Sequence, residues 1–291
     1  MLSLHTNNAA LSAQSSIAKT QSTLSTSMTR LSTGYRINSA MDDAAGLQIA
    51  TRLKAQTSGM TVAMSNTQNS TSMLQTAMGA FNEVTNMLVR MKDLATQAAD
   101  ASSSSDDKTA MQAEYNALGQ ELYNVMTNTT FGGTKLLGKG SAAADGTLST
   151  TMTFQIGADA SEKMAVNLST NMSDLNTALS NVSKNFATAA STGASELTAA
   201  ANATITLLST AIENVSTVNS ALGAAANRLD HINNNLSNIS SNTKAASGRI
   251  MDVDFATESS SMTASQMLLQ AGTAMLKQSN SMSSMVMSLL Q

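Results

Sequence analysis

Residues 74–98 read LQTAMGAFNEVTNMLVRMKDLATQA, and the placing of their apolar residues decides the fold class. Leu74, Ala77, Phe81, Val84, Leu88, Met91, Ala95 and Ala98 recur at alternating steps of three and four. That spacing lays one apolar stripe along an α-helix, the heptad pattern of a helix packed lengthwise on another. A weaker row, Leu53, Met60, Thr67 and Leu74, carries the stripe backwards. At ~1.5 Å per residue a helix over residues 45–100 would extend roughly 80 Å, and such a rod is stable only against partner helices.

Outward from this stretch, Ser102 to Lys108 (SSSSDDK) predicts a turn, with Asp106 or Asp107 as the N-cap of the next helix. Met111, Tyr115, Leu118, Leu122 and Val125 give that helix its own stripe, so it should fold back antiparallel. Phe131-Gly132-Gly133 predicts its end. Thr151–Ile156 and Lys163–Leu168 then alternate polar and apolar residues, with Gly157-Ala158-Asp159 opening the turn between them. This predicts a β-hairpin within residues 131–175. Residues 176–200, rich in Ala, Ser and Thr, carry no decisive pattern. A second long seam follows: Ile205, Leu208, Ile212, Val215, Val218, Leu222, Ala225, Leu229, Ile232, Leu236 and Ile239. The step from Val215 to Val218 interrupts its alternation and should shift the supercoil there.

Composition agrees with long thin seams. The 291 residues include no Pro, Cys or Trp, 21 Met, and only five Phe and three Tyr. Without Pro no helix is forced to break, and with few aromatics a thick core is not expected. Charged residues make up 12% and the net charge is −3, which gives no electrostatic ground for nucleic acid. Without Cys there is neither a disulfide nor a thiolate metal site. The first residues show no basic start followed by an apolar block, so no Sec signal is read, and no stretch reaches the ~18 apolar residues of a membrane span.

The two ends share a style. Leu4, Leu11, Ile17, Leu24, Met28 and Leu31 mark a helix stopped near Gly34. Phe255, Met262, Leu269, Leu276 and Leu290 share one seven-residue row, interrupted by Ser283, beside a second row of Leu268, Met275, Met282 and Leu289. From Phe255 to Gln291 the only charged side chains are Glu258 and Lys277. Wide apolar faces with so little charge predict a partner.

The motifs add a specific resemblance. Residues 30–46, RLSTGYRINSAMDDAAG, resemble the N-terminal signature of bacterial flagellins, RLSSGxRINSAxDDAAG. Asn66 to Gly79 looks like that family's helix continuation. RMKDLATQ at 90–97, TTFGGTKLL at 129–137, Leu222-Gly223-Ala224 with Asn227-Arg228-Leu229, RIMDVDFATE at 249–258 and Gln270-Ala271-Gly272-Thr273 are similar to further family segments in the family's order. The resemblance covers residues 3–137 and 200–291. Two positions depart from it: Ser283 stands where the family often has Pro, and the Met1-Leu2-Ser3-Leu4-His5 opening differs from the common one.

The resemblance implies a mainly α, elongated subunit made of an antiparallel helical rod, a terminal coiled coil and a small β-hairpin, in two discontinuous domains. Residues 1–44 with 251–291 would form the coiled coil of a filament core, and 45–250 the rod with the hairpin near 131–175. The short span between the two signatures implies a minimal form without large outer domains. The implied function is polymerisation into the bacterial flagellar filament, a secreted, extracellular structure. The implied partners are many identical copies, a flagellar export chaperone and a filament cap protein. Polymerisation would fall to Leu4, Leu11, Ile17, Leu24, Leu31, Phe255, Met262, Leu269, Leu276 and Leu290. Recognition by Toll-like receptor 5 would fall to Arg90, Leu94 and Glu114, with Val89 departing from the family. The rival readings are the hook–filament junction protein of the same family and a generic coiled-coil rod or adhesion protein.

No constellation for catalysis or cofactor binding emerges. Asp42 and Asp43 are neighbours in sequence with no nucleophile or His nearby, and read as helix caps or partners of Arg30, Arg36 or Arg249. Asp252, Asp254 and Glu258 lack the further ligands and central Gly of a calcium loop. His5 and His231 belong to no H-E-x-x-H motif. The methionines fall largely on seams, where a flexible thioether fills gaps. The expectation is therefore no enzyme, cofactor or metal, no nucleic acid and no membrane insertion.

Overall fold

The computed structural model describes residues 7–138, 146–187 and 195–289. Its described elements are seven α-helices, a 3-10 turn at Thr147–Ser149 and two short antiparallel strand pairs, a mainly α architecture. The helices are α1 (Asn8–Thr33), α2 (Ala44–Ala99), α3 (Ser105–Asn128), α4 (Ser169–Val182), α5 (Lys184–Ala187), α6 (Glu196–Met251) and α7 (Phe255–Leu289). The strands are β1 (Thr130–Phe131), β2 (Thr134–Lys135), β3 (Thr151–Gln155) and β4 (Lys163–Asn167). Two compact units are built from them: residues up to Thr57 with those from Ser241 onward, and Ser58–Ser240. The division falls inside both α2 and α6, some turns away from the 44/45 and 250/251 boundaries expected from the motifs.

The Ser58–Ser240 unit holds a long apolar core and a smaller cluster of Met60, Ala63 and Leu236. All eight residues of the Leu74–Ala98 stripe are fully buried, and from α6 Leu208, Val215, Val218, Leu222 and Leu229 meet them there. Ile239, at the far end of the α6 seam, is exposed. Cross-links show α2 and α6 running antiparallel. Asn219 Nδ2 donates to Asn82 Oδ1 at 3.0 Å, and Asn233 Nδ2 donates to Thr67 Oγ1 at 3.1 Å. Near its start α6 has one non-helical residue, Ala200 (φ −150°, ψ 42°), where two helical pieces join across a kink. The Thr204 hydroxyl spans it, donating to the carbonyls of Glu196 and Ala200 at 3.1 Å each.

Helix α3 differs from expectation at both ends. Its N-cap is Ser104, whose Oγ accepts from the Asp107 N–H at 3.2 Å while the Asp107 carboxylate accepts from the Ser104 N–H at 3.0 Å. Asp107 is thus the third helical residue of a capping box, and the cap lies two residues ahead of Asp106, because the smaller hydroxyl reaches the free N–H groups. Helix α3 ends at Asn128, before the glycines; Gly132 and Gly133 (φ 57° and 84°) instead make the left-handed turn joining β1 to β2. The buried line of α3 runs through Gln112, Tyr115, Gly119, Leu122 and Met126, so Met111, Leu118 and Val125 are only half-buried.

Gln112 explains that rotation. Its Oε1 accepts from the Leu197 N–H at 2.7 Å, satisfying a free donor at the start of α6, and its Nε2 donates to Glu196 Oε2 at 2.9 Å. The other oxygen of Glu196 accepts from the Lys184 N–H at 3.0 Å. Tyr115, fully buried, donates from its hydroxyl to the Val182 carbonyl at 2.7 Å. Burial, and then the nearby Glu196 charge, push that phenol far above its ordinary range and keep it a donor.

The hairpin forms in the expected place, pairing Thr151 with Asn167 and Gln155 with Lys163. The alternation puts Met152, Met164 and Val166 into the core. Its turn rests on α2 at Gly59, where an added methyl would lie 2.8 Å from the Ala158 Cβ. The Ala/Ser/Thr-rich stretch that gave no pattern contributes part of α4, whose Met172, Leu175, Leu179 and Val182 are buried with Phe186 of α5.

Candidate assembly surface

In the terminal unit α1 and α7 lie antiparallel along each other. At one end Asn7, the N-cap of α1, donates to Ser279 Oγ at 3.1 Å; at the other Arg30 pairs with Glu258 at 3.7 Å. The helices meet along a heptad line. Ala13, Ile17, Thr20, Leu24, Ser27 and Leu31 face Met262, Ser265, Leu269, Gly272, Leu276 and Ser279, each shielded at least partly from solvent. Large and small residues alternate along both lines. The buried members of the described pair are the small ones, Ser27 and Ser265, and a methyl at Gly272 would lie 2.9 Å from Ile17 Cγ1. These small side chains let the Cα atoms of the two helices approach within 8 Å. Sequence reasoning missed them because it followed apolar side chains, whereas the signal was a Ser, Thr or Gly between every two large residues of each row.

The expected assembly residues divide accordingly. Ile17, Leu24, Leu31, Met262, Leu269 and Leu276 are brought together and half-buried. Leu11 and Phe255 are exposed, at 62% and 56%. Leu4 and Leu290 lie outside the described residues. The neighbouring row of α7, Leu268, Met275 and Met282, is exposed throughout, as is Met28 on α1. One helix pair therefore covers a single stripe of each helix and leaves a second apolar stripe open.

The two signature motifs meet where the chain leaves α1 and enters α7. Gly34 caps α1 in the left-handed conformation (φ 77°). Tyr35 and Asp252 then form an antiparallel bridge: the Arg36 N–H donates to the Met251 carbonyl at 2.7 Å and the Val253 N–H to the Gly34 carbonyl at 3.0 Å. The Arg36 guanidinium adds a bond to the Ile250 carbonyl at 2.9 Å. Asp42 accepts from the N–H groups of Asn38 and Ser39 at 3.0 and 2.9 Å. Those backbone bonds, that of Ser39 first, hold its carboxyl below the usual range. Asp43 caps α2, accepting from the Gly46 N–H at 2.8 Å. A methyl at Gly46 would lie 2.5 Å from Asp43 Oδ2 and 2.8 Å from Cδ1 of the buried Ile37, so both side chains would have to shift. Asp254 accepts from the Ala256 N–H at 3.0 Å and the Thr257 hydroxyl at 2.7 Å, closing the first turn of α7. Asp42, Asp43 and Asp254 thus organise turns and helix starts.

The other expected site lies on α2 and α3. Arg90 grips Glu114 with two donors, Nη2 at 2.7 Å and Nε at 2.8 Å from Oε1, on a surface where both side chains are about half exposed. Leu94 is not on that surface. At 2% exposure it belongs to the core, because the fourth residue after Arg90 turns inward with Met91 and Ala95. Arg90, Glu114 and the exposed Val89 make up what the surface offers there.

Residues 4–142 match the family described as bacterial flagellin N-terminal helical region, and residues 205–290 the one described as bacterial flagellin C-terminal helical region. The chain is 46% identical over 173 residues to flagellin C of Vibrio cholerae, which is 60% of this chain and 44% of that protein. It is 46% identical over 167 residues to the B-type flagellin of Pseudomonas aeruginosa, 57% of this chain and 33% of that one. The chain thus spans less than half the length of these relatives. The crystal structure of Bacillus cereus flagellin is 30% identical, with a TM-score of 0.46, over 59% of this chain and 88% of that one. A putative flagellar hook-associated protein from Vibrio parahaemolyticus matches 72% of this chain and 100% of that one, with a TM-score of 0.58 and 16% identity, a likeness of fold alone. No helix among the described residues is long and apolar enough to cross a membrane.

Proposed function

We propose that this chain, which belongs to the bacterial flagellin family, is a subunit of the flagellar filament and polymerises through the open faces of α1 and α7. The observation that carries this reading is the second stripe of α7, Leu268, Met275 and Met282, apolar and exposed on the single chain. Further copies cover it, and the burial of apolar area drives growth. Contacts of this kind join different faces of neighbouring copies and give an open helix instead of a closed ring. On this reading residues 1–44 with 251–291, Leu4 and Leu290 included, join the copies, and 45–250 form the rod. The filament is extracellular, its subunits leave through the flagellar export channel, and an export chaperone and a cap protein are the further partners.

Electron microscopy of the purified protein, seeded with filament fragments, tests the proposal. Long filaments are expected. Short caps on hook ends would favour the hook–filament junction reading, and the absence of any polymer would overturn both. A second role rests on the exposed Arg90–Glu114 pair. Its forked donors suit a protein partner's carboxylates or carbonyls, which supports recognition of the monomer by Toll-like receptor 5. Surface plasmon resonance against the receptor ectodomain should show weaker binding for Arg90→Ala, and unchanged affinity would leave the pair with a role in packing alone.

A further inference from the structure

Apart from the half-buried Met64, Met73, Met78, Met87, Met111, Met251 and Met262, the described methionines fall into two contrasting groups. Met60, Met91, Met126, Met152, Met164 and Met172 are buried, and all belong to the Ser58–Ser240 unit. Met28, Met41, Met267, Met275 and Met282 are 56%, 97%, 61%, 66% and 57% exposed, and all belong to the terminal unit. Cores exclude solvent and dissolved oxidants alike, so the first six thioethers are shielded by packing and the last five are open.

We infer that, among the described residues, these five methionines are the ones oxidised first, and that sulfoxides at Met267, Met275 and Met282 switch assembly off. The second half of the inference rests on the assembly role proposed for α7. The oxidant class is a hydroperoxide, with hydrogen peroxide the simplest. The methionine sulfur attacks one peroxide oxygen, an S–O bond forms as the O–O bond breaks, and the second oxygen leaves as water. Sulfur is oxidised by two electrons and the peroxide reduced by two, with no net proton change. The product carries a polar oxygen where an apolar thioether stood.

The surroundings make that change consequential. From Met267 to Met282 the one charged side chain is Lys277, and Leu268 stands in the same open stripe as Met275 and Met282. A sulfoxide oxygen pressed between such stripes loses its water and meets no matching donor. Met41, almost fully exposed in the turn before α2, can take up oxidant without entering the stripe.

The test treats purified monomer with hydrogen peroxide, maps sulfoxides by peptide mass spectrometry and follows seeded growth by light scattering. Sulfoxide is expected at Met28, Met41, Met267, Met275 and Met282, with Met60, Met91 and Met126 spared. Growth should slow by roughly tenfold or more, the consequence of one poorly matched buried polar group. Methionine sulfoxide reductases A and B together should restore it. The triple variant Met267→Leu, Met275→Leu, Met282→Leu keeps volume and apolarity, and should grow normally before peroxide and lose far less of its growth than the parent after it. Equal oxidation of core and terminal methionines would overturn the inference, as would untreated growth rates after full oxidation or a triple variant inhibited like the parent. If the triple variant fails to grow at all, the cycle of peroxide and reductases on the parent decides alone. Untreated protein that never grows would sink the assembly reading and this inference with it; growth that ignores oxidation sinks only this inference.

Discussion

The two units of this chain solve helix packing in opposite ways. In the Ser58–Ser240 unit, α2, α3 and α6 are held together by bulk: Phe81, Leu88, Met91, Tyr115, Leu222 and Leu229 have no exposed surface or almost none. In the terminal unit, α1 and α7 approach over Ser27, Ser265 and Gly272, and their large residues stay half open. Bulk gives a core that is finished within one chain. Small residues give a close pair whose apolar sides remain available. The first arrangement suits stability, the second suits an element meant to acquire neighbours.

The sharpest way to break this contrast is Leu276→Asp. A carboxylate on the terminal seam cannot be matched once further copies surround it, at a cost of several kcal/mol. Seeded growth should cease, while calorimetry should find the melting of the Ser58–Ser240 unit unchanged. A lower melting temperature there would mean that the two units do not separate as described. Next in size is Phe81→Ala, which should destabilise the larger unit by about 3–5 kcal/mol in urea titration, because a fully buried ring leaves a cavity. A loss below about 1 kcal/mol would mean that bulk is not what holds that unit.

A smaller effect comes from the capping box. Ser104→Ala should cost about 1 kcal/mol by the same titration, since it frees an N–H at the start of α3. The box also has a pH signature. The Ser104 hydroxyl, and then its N–H, hold the Asp107 carboxyl below its usual 3.8. A lowered folded value means that the contribution is complete above the unfolded pKa and is lost as pH falls through the folded one. The wild type should therefore lose stability below about pH 4, and Ser104→Ala should show a shallower acid limb. Asp42 and Asp254 are lowered in the same sense, by the Ser39 N–H and the Thr257 hydroxyl respectively, so acid should loosen the terminal junction in the same window. Smallest of all, Arg90→Ala should change stability by less than ~1 kcal/mol, because its pair with Glu114 is open to water. A larger loss would show that this surface pair is structural.

Much of the larger unit was legible because its seams use residues that hydropathy recognises. The Leu74–Ala98 stripe is buried throughout, and the Thr151–Gln155 and Lys163–Asn167 strands pair as their alternation demands. What escaped has a common cause: polar or small residues placed inside. Gln112 replaced an apolar residue on the buried line of α3 because its amide closes the start of α6. Ser104 took the cap ahead of the two acids, and Leu94, read as surface, turned out to face the core. Helix α4 was hidden because its five buried apolar residues are diluted by Ser, Thr and Asn. In the terminal unit, a search for large apolar residues found the rows of α1 and α7 but passed over Ser27, Ser265 and Gly272, which set how near the helices come.

The hydroxyls of α1 add a last point. Every threonine in that helix, Thr20, Thr23, Thr26, Thr29 and Thr33, donates to the carbonyl four residues earlier, at 2.9 to 3.1 Å. Each proton is already spoken for inside its own helix. These five side chains look polar by composition, yet they give up few donor bonds to water when covered. Covering these threonines therefore costs less dehydration than a count of their hydroxyls suggests, and a helix rich in polar side chains can still be laid against neighbours.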